Sequence, residues 1–220
     1  YITYNWSKEI TRSCRLLKIF VEFENMVNED KKIFKIKNFE EYKKWINDQD
    51  WYQTIHLNKG LKTSGKLNTD ARIKWFNEFN FTNKSVLDIG CNSGQYSFYA
   101  KKAGASRVTG IDVDTKRIYQ AKMLALNEDI DVNFHLSGIE KVAEYGKFDI
   151  IIANNVFNHS DLPSQFLKGV FNLLSDDGVF VFEQPDFTIG ATSLKFDQIY
   201  HEHVSYFTSL NIKTFLKNNK

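Results

Sequence analysis

From Phe81 onward, short apolar runs alternate with amphipathic stretches of helical period. SVLDIG, RVTGIDVD, DVNFHL, KFDIIIANN and GVFVFEQ have strand length and are bounded by Gly, Asn or Asp. KFDIIIANN is apolar on both faces, as a strand buried on both sides requires. Between the runs, SGQYSFYAKKAG, TKRIYQAKMLALN and LPSQFLKGVFNLL predict helices. Gly104 stops the first of them, and Pro163 sits in the first turn of the last. Strands alternating with helices predict an α/β fold, a doubly wound parallel sheet covered on both faces.

Residues 1–80 read differently, as a helical arm with a loop, preceding a sheet domain over 81–220. Leu16, Leu17, Phe20, Phe23 and Val27 fall near helical spacing. FEEYKKWINDQDWYQTI predicts a second helix, with Tyr42, Trp45 and Ile46 on one side. LNKGLKTSGKLNTD is a loop by its Asn, Gly, Ser and Lys content, and Asp70 is placed to cap the helix ARIKWFNEF.

Composition narrows the function classes. The 220 residues carry a formal charge of +2, so a strongly basic nucleic-acid footprint is not expected. Cys14 and Cys91 are too few for a four-thiolate zinc site or a disulfide framework, and a reducing, cytoplasmic setting is expected, with no structural metal. No apolar run reaches the roughly 18 residues of a membrane span. Beyond FTSL too little sequence follows for two further strands, so the fifth strand is expected at an edge that a partner domain or second copy could cover.

Ligands of an open parallel sheet bind at the carboxyl ends of its strands. The first strand runs into Asp88-Ile89-Gly90-Cys91-Asn92-Ser93-Gly94, and the second ends at Asp112-Val113. An acid about 20 residues beyond the glycine turn is spaced to grip a ribose diol. A nicotinamide fingerprint needs G-x-G-x-x-G, but Asn92 and Gln95 stand where two of its glycines belong. The D-x-G-x-x-x-G loop with its downstream acid resembles motif I of class I S-adenosylmethionine-dependent methyltransferases, whose sheet is Rossmann-like. That resemblance implies S-adenosylmethionine as cofactor, held around Asp88, Gly90, Cys91, Asn92, Gly94, Asp112 and Val113. Ser137 stands where the family's adenine-binding acid would be, and Asn154 ends the fourth strand beside the same ligand.

A second resemblance begins at the fourth strand. Asn155 with His159, FVFEQP over Phe180–Pro185, and FDQIYHEH over Phe196–His203 resemble motifs of the sugar C-methyltransferases of deoxysugar pathways. The implied substrate is a small molecule, a nucleotide-linked 4-keto sugar. Methylating carbon beside a ketone requires a base to remove the α-proton and a group to hold the enolate oxygen. The resemblance implies His203 as base, Tyr200 on the sugar oxygen, Glu202 setting the histidine's tautomer, and His159 in the same site. His159 ahead of a helix also fits a cap, and a Tyr–Glu–His network also fits a structural role. Two features of that family are not expected here: its four-cysteine zinc domain, for which two cysteines are too few, and its further C-terminal domain.

WYQTIHLNKGLKTSG more loosely resembles a segment of methyltransferase-like enzymes that modify the tRNA wobble uridine. That likeness would bring Trp51, Tyr52, Lys62 and Thr63 near the cofactor or substrate. A tRNA-modifying transferase and a methyltransferase-like domain of a larger assembly are therefore the competing functions.

Overall fold

The computed structural model describes residues 32–194, 199 and 202–219. The helix expected over 10–27, together with Tyr200 and His201, lies outside them. Lys35–Lys220 form one compact unit. Its sheet contains β1 (Ser85–Ile89), β2 (Arg107–Asp112), β3 (Asn133–Leu136), β4 (Phe148–Asn154) and β5 (Leu174–Glu183), in the order β3-β2-β1-β4-β5. Every pairing is parallel. Helices α1 (Phe39–Asn47) and α2 (Asp70–Phe76) precede the sheet; α3 (Gln95–Lys102), α4 (Thr115–Asn127) and α5 (Pro163–Leu173) connect its strands; α6 (Phe187–Thr192) and α7 (Ser209–Asn218) follow it. No described helix is long and apolar enough to cross a membrane.

Alternation along the strands divides the core. Val86, Val108, Ile150 and Ile152 pack with Phe76, Tyr96 and Ala100 of α2 and α3. Leu87, Ile89, Ile111, Ile151 and Ala153 pack with Phe166, Leu167 and Val170 of α5. The expected helix boundaries hold for α4 and α5, and Gly104 follows α3 at φ +95°. β5 pairs earlier than its apolar run, from Leu174, with an irregularity before Val179.

Two N-terminal expectations need correction. The helix expected to run from Phe39 through Ile55 stops at Asn47. The Trp51 indole N–H donates to the Ile46 carbonyl at 2.7 Å, which turns the chain back, and Asn-Asp-Gln-Asp is a weak helix former. Asp70 is not a cap but the first residue of α2; its N–H donates to Asn68 Oδ1 and its carboxylate meets His56 at 3.0 Å.

The arm shares the core of the sheet unit. Tyr42, Ile46, Trp51, Ile55 and Leu57 pack on Ile118, Ala121 and Leu124 of α4. Buried Glu128 ties the same surfaces together, accepting from Tyr42 Oη at 2.8 Å and from the Asn58 N–H at 2.7 Å. Glu128→Ala strands the buried Tyr42 hydroxyl and removes the part-buried bond from the Asn58 N–H, so urea denaturation should read a loss of about 1–3 kcal/mol; a loss within error of zero would show that the arm is held by apolar contact alone.

Candidate functional site

The parallel register pairs Ile89 with Ile111 and Asp88 with Ile152, so the loops after β1, β2 and β4 leave from one edge. They surround a cavity of about 650 Å³. Gly90, Asn92 and Asp112 form one part of its wall, Asn154, Asn155 and Val156 another, and His159, Pro185, Glu202 and His203 a third. Tyr52, Gln53 and Leu67 reach it from the arm's loop, and Arg72 from α2.

Local backbone explains several of these residues. Gly90 turns out of β1 at φ +65°, and a Cβ there would lie 2.4 Å from Val156 Cγ2. Asn92 and Asn155 are both left-handed, at φ 51° and 54°, a conformation asparagine tolerates better than most residues. Asn155 therefore turns the chain after β4, its N–H donating to the Glu183 carbonyl at 2.7 Å. The side chain of Gln53 is buried and accepts from the Gln95 N–H at 3.4 Å, at the start of α3.

Charge is distributed in layers. Asp112 accepts from the Asn92 N–H at 2.8 Å and the Asp114 N–H at 2.9 Å, while burial raises its carboxyl above the ordinary range. Asp88 lies beneath the loop, 1% exposed, accepting from Ser97 Oγ at 2.7 Å. Burial pushes its carboxyl up to about 7, with the Asp112 charge adding to the rise. Arg72 Nε donates to Glu183 at 2.8 Å, and its buried Nη1 has no partner among the described residues. Tyr96, beside Arg72, has its phenol pushed up to about 12, chiefly by burial.

The histidine wall is laced by main-chain bonds. His159 ends a short 3₁₀ turn, Phe157–His159, and its Nδ1 lies 2.8 Å from the Glu202 carbonyl. A carbonyl only accepts, so Nδ1 carries the proton, and Nε2 of the neutral ring is the nitrogen with a lone pair. The Val204 and Ser205 N–H groups both donate to the Asn158 carbonyl at 3.1 Å. The His159 and His203 rings meet edge to face at 4.9 Å.

The cavity thus gathers Gly90, Asn92, Asp112, Asn154, His159, Glu202 and His203 from the expected set. Five others stand outside its wall. Asp88 is beneath the loop; Cys91 is buried in the core; Gly94 starts α3 at φ +94°, where a Cβ would strike the Phe134 ring at 2.7 Å. Val113 is 75% exposed, and Ser137 Oγ donates to the Gly138 carbonyl. The backbone carbonyl of Glu202, besides the side chain expected to orient His203, meets His159 Nδ1. In the arm, Tyr52 is at the cavity, but Trp51 is core, Thr63 is buried in bonds to the Ile55 N–H and the Gln53 carbonyl, and Lys62 is exposed away from the wall. Arg72, Gln53 and Tyr96 join the site without any sequence signal pointing to them.

The donor set suits an elongated ligand with a diol and a charged amino-acid end. Asp112 could hold the diol, the backbone of Gly90 and Asn92 could approach the ligand closely, and Arg72 Nη1 could meet a carboxylate. A sequence family described as a methyltransferase domain matches residues 80–218, more than half of the chain. The chain belongs to this methyltransferase domain family.

The relatives of this methyltransferase include the ribosomal protein L11 methyltransferases of Burkholderia mallei (33% identity over 115 residues, 51% of this chain and 37% of that protein) and Thermosipho africanus (30% over 137 residues, 61% and 51%). The chain thus spans about half or less of their length. Its fold is shared with magnesium protoporphyrin IX methyltransferase from Synechocystis PCC 6803, solved with bound S-adenosylhomocysteine (TM-score 0.54, 23% identity, 69% of this chain and 70% of that one). It is also shared with the PH0226 protein of Pyrococcus horikoshii OT3 (TM-score 0.57, 22% identity, 67% and 80%).

Two measurements probe the site. S-adenosylhomocysteine should bind in calorimetry, and Asp112→Ala should weaken it at least about tenfold, the effect of losing a charge-assisted hydrogen bond; equal affinity would remove Asp112 from the cofactor's reach. Asp88 gives a pH signature. Its folded-state carboxyl titrates near 7, above the ordinary 3.8, so between about pH 4 and 7 the folded state holds a proton that the unfolded chain has lost. Stability from this group therefore falls as pH rises through that window. Asp88→Asn should gain melting temperature relative to the parent from pH 4.5 to 7.5, and a pH-independent difference would contradict the assignment.

Proposed function

We propose that this methyltransferase acts on a sugar or sugar nucleotide, removing a proton from the carbon beside a ketone and methylating that carbon, with a deprotonated hydroxyl oxygen as the other acceptor of the same class. The observation that carries this reading is the pair of imidazoles, His159 and His203, meeting at 4.9 Å in the wall of the cavity that also contains Asp112 and Gly90. Such a pair can take a proton from one atom and hold a hydroxyl on the next. The likeness of Phe180–Pro185 and Phe196–His203 to sugar C-methyltransferase motifs supports the substrate class.

Residue roles follow from chemistry. Asp112 takes the ribose diol, Gly90 and Asn92 pass their backbone along the cofactor, Asn154 borders it, and Arg72 Nη1 meets its carboxylate. When bound, S-adenosylmethionine supplies an electrophilic methyl group. His203 accepts the α-proton as the C–H bond breaks, and the electron pair stays on the acceptor as an enolate. His159 presents Nε2 to an adjacent hydroxyl. Tyr200, outside the described residues, is the proposed donor to the enolate oxygen.

Methylation of a protein is the second reading, favoured by the name borne by the curated relatives. A tRNA acceptor finds less support, since Arg72 is the only Lys or Arg among the described lining residues and it is paired with Glu183. Mass spectrometry of products from a panel of nucleotide-linked keto sugars, beside ribosomal protein L11, separates these acceptors. Exchange of the acceptor's α-proton for deuterium, measured with S-adenosylhomocysteine in place of the methyl donor, then reports the base. His203→Gln should slow that exchange at least about 100-fold with cofactor affinity unchanged. Exchange at the parent rate would take the role from His203; methylated L11 with no methylated sugar would sink the sugar reading.

A further inference from the structure

Glu183 closes β5, and parallel pairing sets it beside Asn154 at the end of β4. Its carbonyl accepts the Asn155 N–H at 2.7 Å. Residues two apart on a strand share a face, and two positions earlier on these strands Ile152 and Val181 pack with Phe76 and Tyr96. Glu183 therefore presents its side chain toward α2 and α3, where Arg72 meets it. The Arg72 side chain stands between two cavities. It lines the main one together with Tyr96 and Asn154, and it lines a second, of about 410 Å³, together with Trp75, Phe79 and Glu183. Glu183 lines the second and not the main one, so its carboxylate holds the guanidinium from behind, Nε donating to Oε1 at 2.8 Å.

A guanidinium is a rigid plane, so a bond at Nε limits the directions that its other N–H groups can take. Nη1 is buried and has no partner among the described residues. Folded proteins leave few interior donors unused. A donor already stripped of water can take an acceptor without giving up a bond to solvent. Without the carboxylate behind it, the long arginine side chain would have to be ordered on each binding event. Charge alone argues the opposite effect. Glu183 is an anion beside the guanidinium, and by charge it would weaken the hold of Arg72 on a carboxylate. The two effects differ in sign, so one measurement separates them.

We propose that Glu183 is a positioning residue that orients Arg72 toward the main cavity, and so gives the site its preference for a cofactor with a carboxylate end over a nucleoside without one. The strand end is a firm base for this task, since the Glu183 backbone is paired to β4 and bonded to the turn at Asn155. The role rests on the proposed contact between Arg72 Nη1 and the cofactor's carboxylate.

Calorimetry on the full chain compares S-adenosylhomocysteine with 5′-methylthioadenosine, which keeps the ribose diol and lacks the amino-acid end. The parent should prefer S-adenosylhomocysteine, and Arg72→Ala should lower that preference at least about tenfold. Glu183→Ala should lower it about fivefold, the ratio expected for one net hydrogen bond, by weakening S-adenosylhomocysteine and leaving 5′-methylthioadenosine unchanged. If the alanine variant does not fold, Glu183→Asp, which keeps the charge and shortens the reach to Nε, should do the same. A preference in these variants that equals or exceeds the parent's, while Arg72→Ala still reduces it, overturns the positioning role and leaves the Arg72 contact standing. Equal weakening of both ligands also overturns it, because it would report a disturbed strand end. A parent with no preference, or an Arg72→Ala variant that keeps it, removes the contact itself and the proposal with it.

Discussion

Strand β1 is hydrogen-bonded on both sides, to β2 and to β4, and the rest of the site follows from that. A central parallel strand has no free flank, so the chain after Ile89 leaves only at the carboxyl edge. The connections from β1 diverge there, with β2 on one side and β4 on the other. The crevice between them is where an open α/β sheet accepts a ligand. Gly90 makes the exit turn, Asp112 ends the neighbouring strand, and Asn155 turns the chain on the far side. Asp88, one step inside the sheet, is forced into the interior, where the Ser97 hydroxyl is its compensation. Its high carboxyl titration is therefore a consequence of strand position, not of contact with the cavity.

The periodic part of the chain was readable because period is a local property. Five apolar runs and three amphipathic stretches appear as β1 to β5 and α3 to α5 in the expected order. The loop after β1 was readable because a turn at the end of a buried strand needs a glycine whatever surrounds it. What was not readable depends on distant partners. The end of α1 is set by the Trp51 indole reaching the Ile46 carbonyl. Arg72 is fixed by Glu183, 111 residues away. Gln53 enters the site because its loop packs over the start of α3. Spacing rules place residues along one strand or helix; they carry no information about which loop covers the strand's end.

The same distinction explains the expected site residues that stand outside the cavity wall. Cys91 and Gly94 follow Gly90 in sequence, but the chain immediately turns into α3, so one becomes core and the other a helix start pressed against Phe134. Proximity in sequence to a functional turn is weak evidence within a turn this tight. Val113 stands outside the wall for the opposite reason. It lies just beyond β2, and the chain caps α4 at Asp114 instead of folding over the cavity. Asp112 remains at the wall because two backbone N–H groups hold its carboxylate there.

The histidine wall differs in construction from the rest of the cavity. Asp112 and Arg72 are placed by rigid elements, the end of a strand and a turn of helix. His159 and His203 belong to irregular segments that are tied to each other: Glu202 carbonyl to His159, Asn158 carbonyl to Val204 and Ser205. Main-chain bonds of this kind are indifferent to side-chain identity, so they orient a segment without committing its chemistry. The side chains on the two segments are then left to face the acceptor. A cofactor half built on regular structure and an acceptor half built on laced loops can vary separately, because altering the loops leaves the register of β1, β2 and β4 untouched.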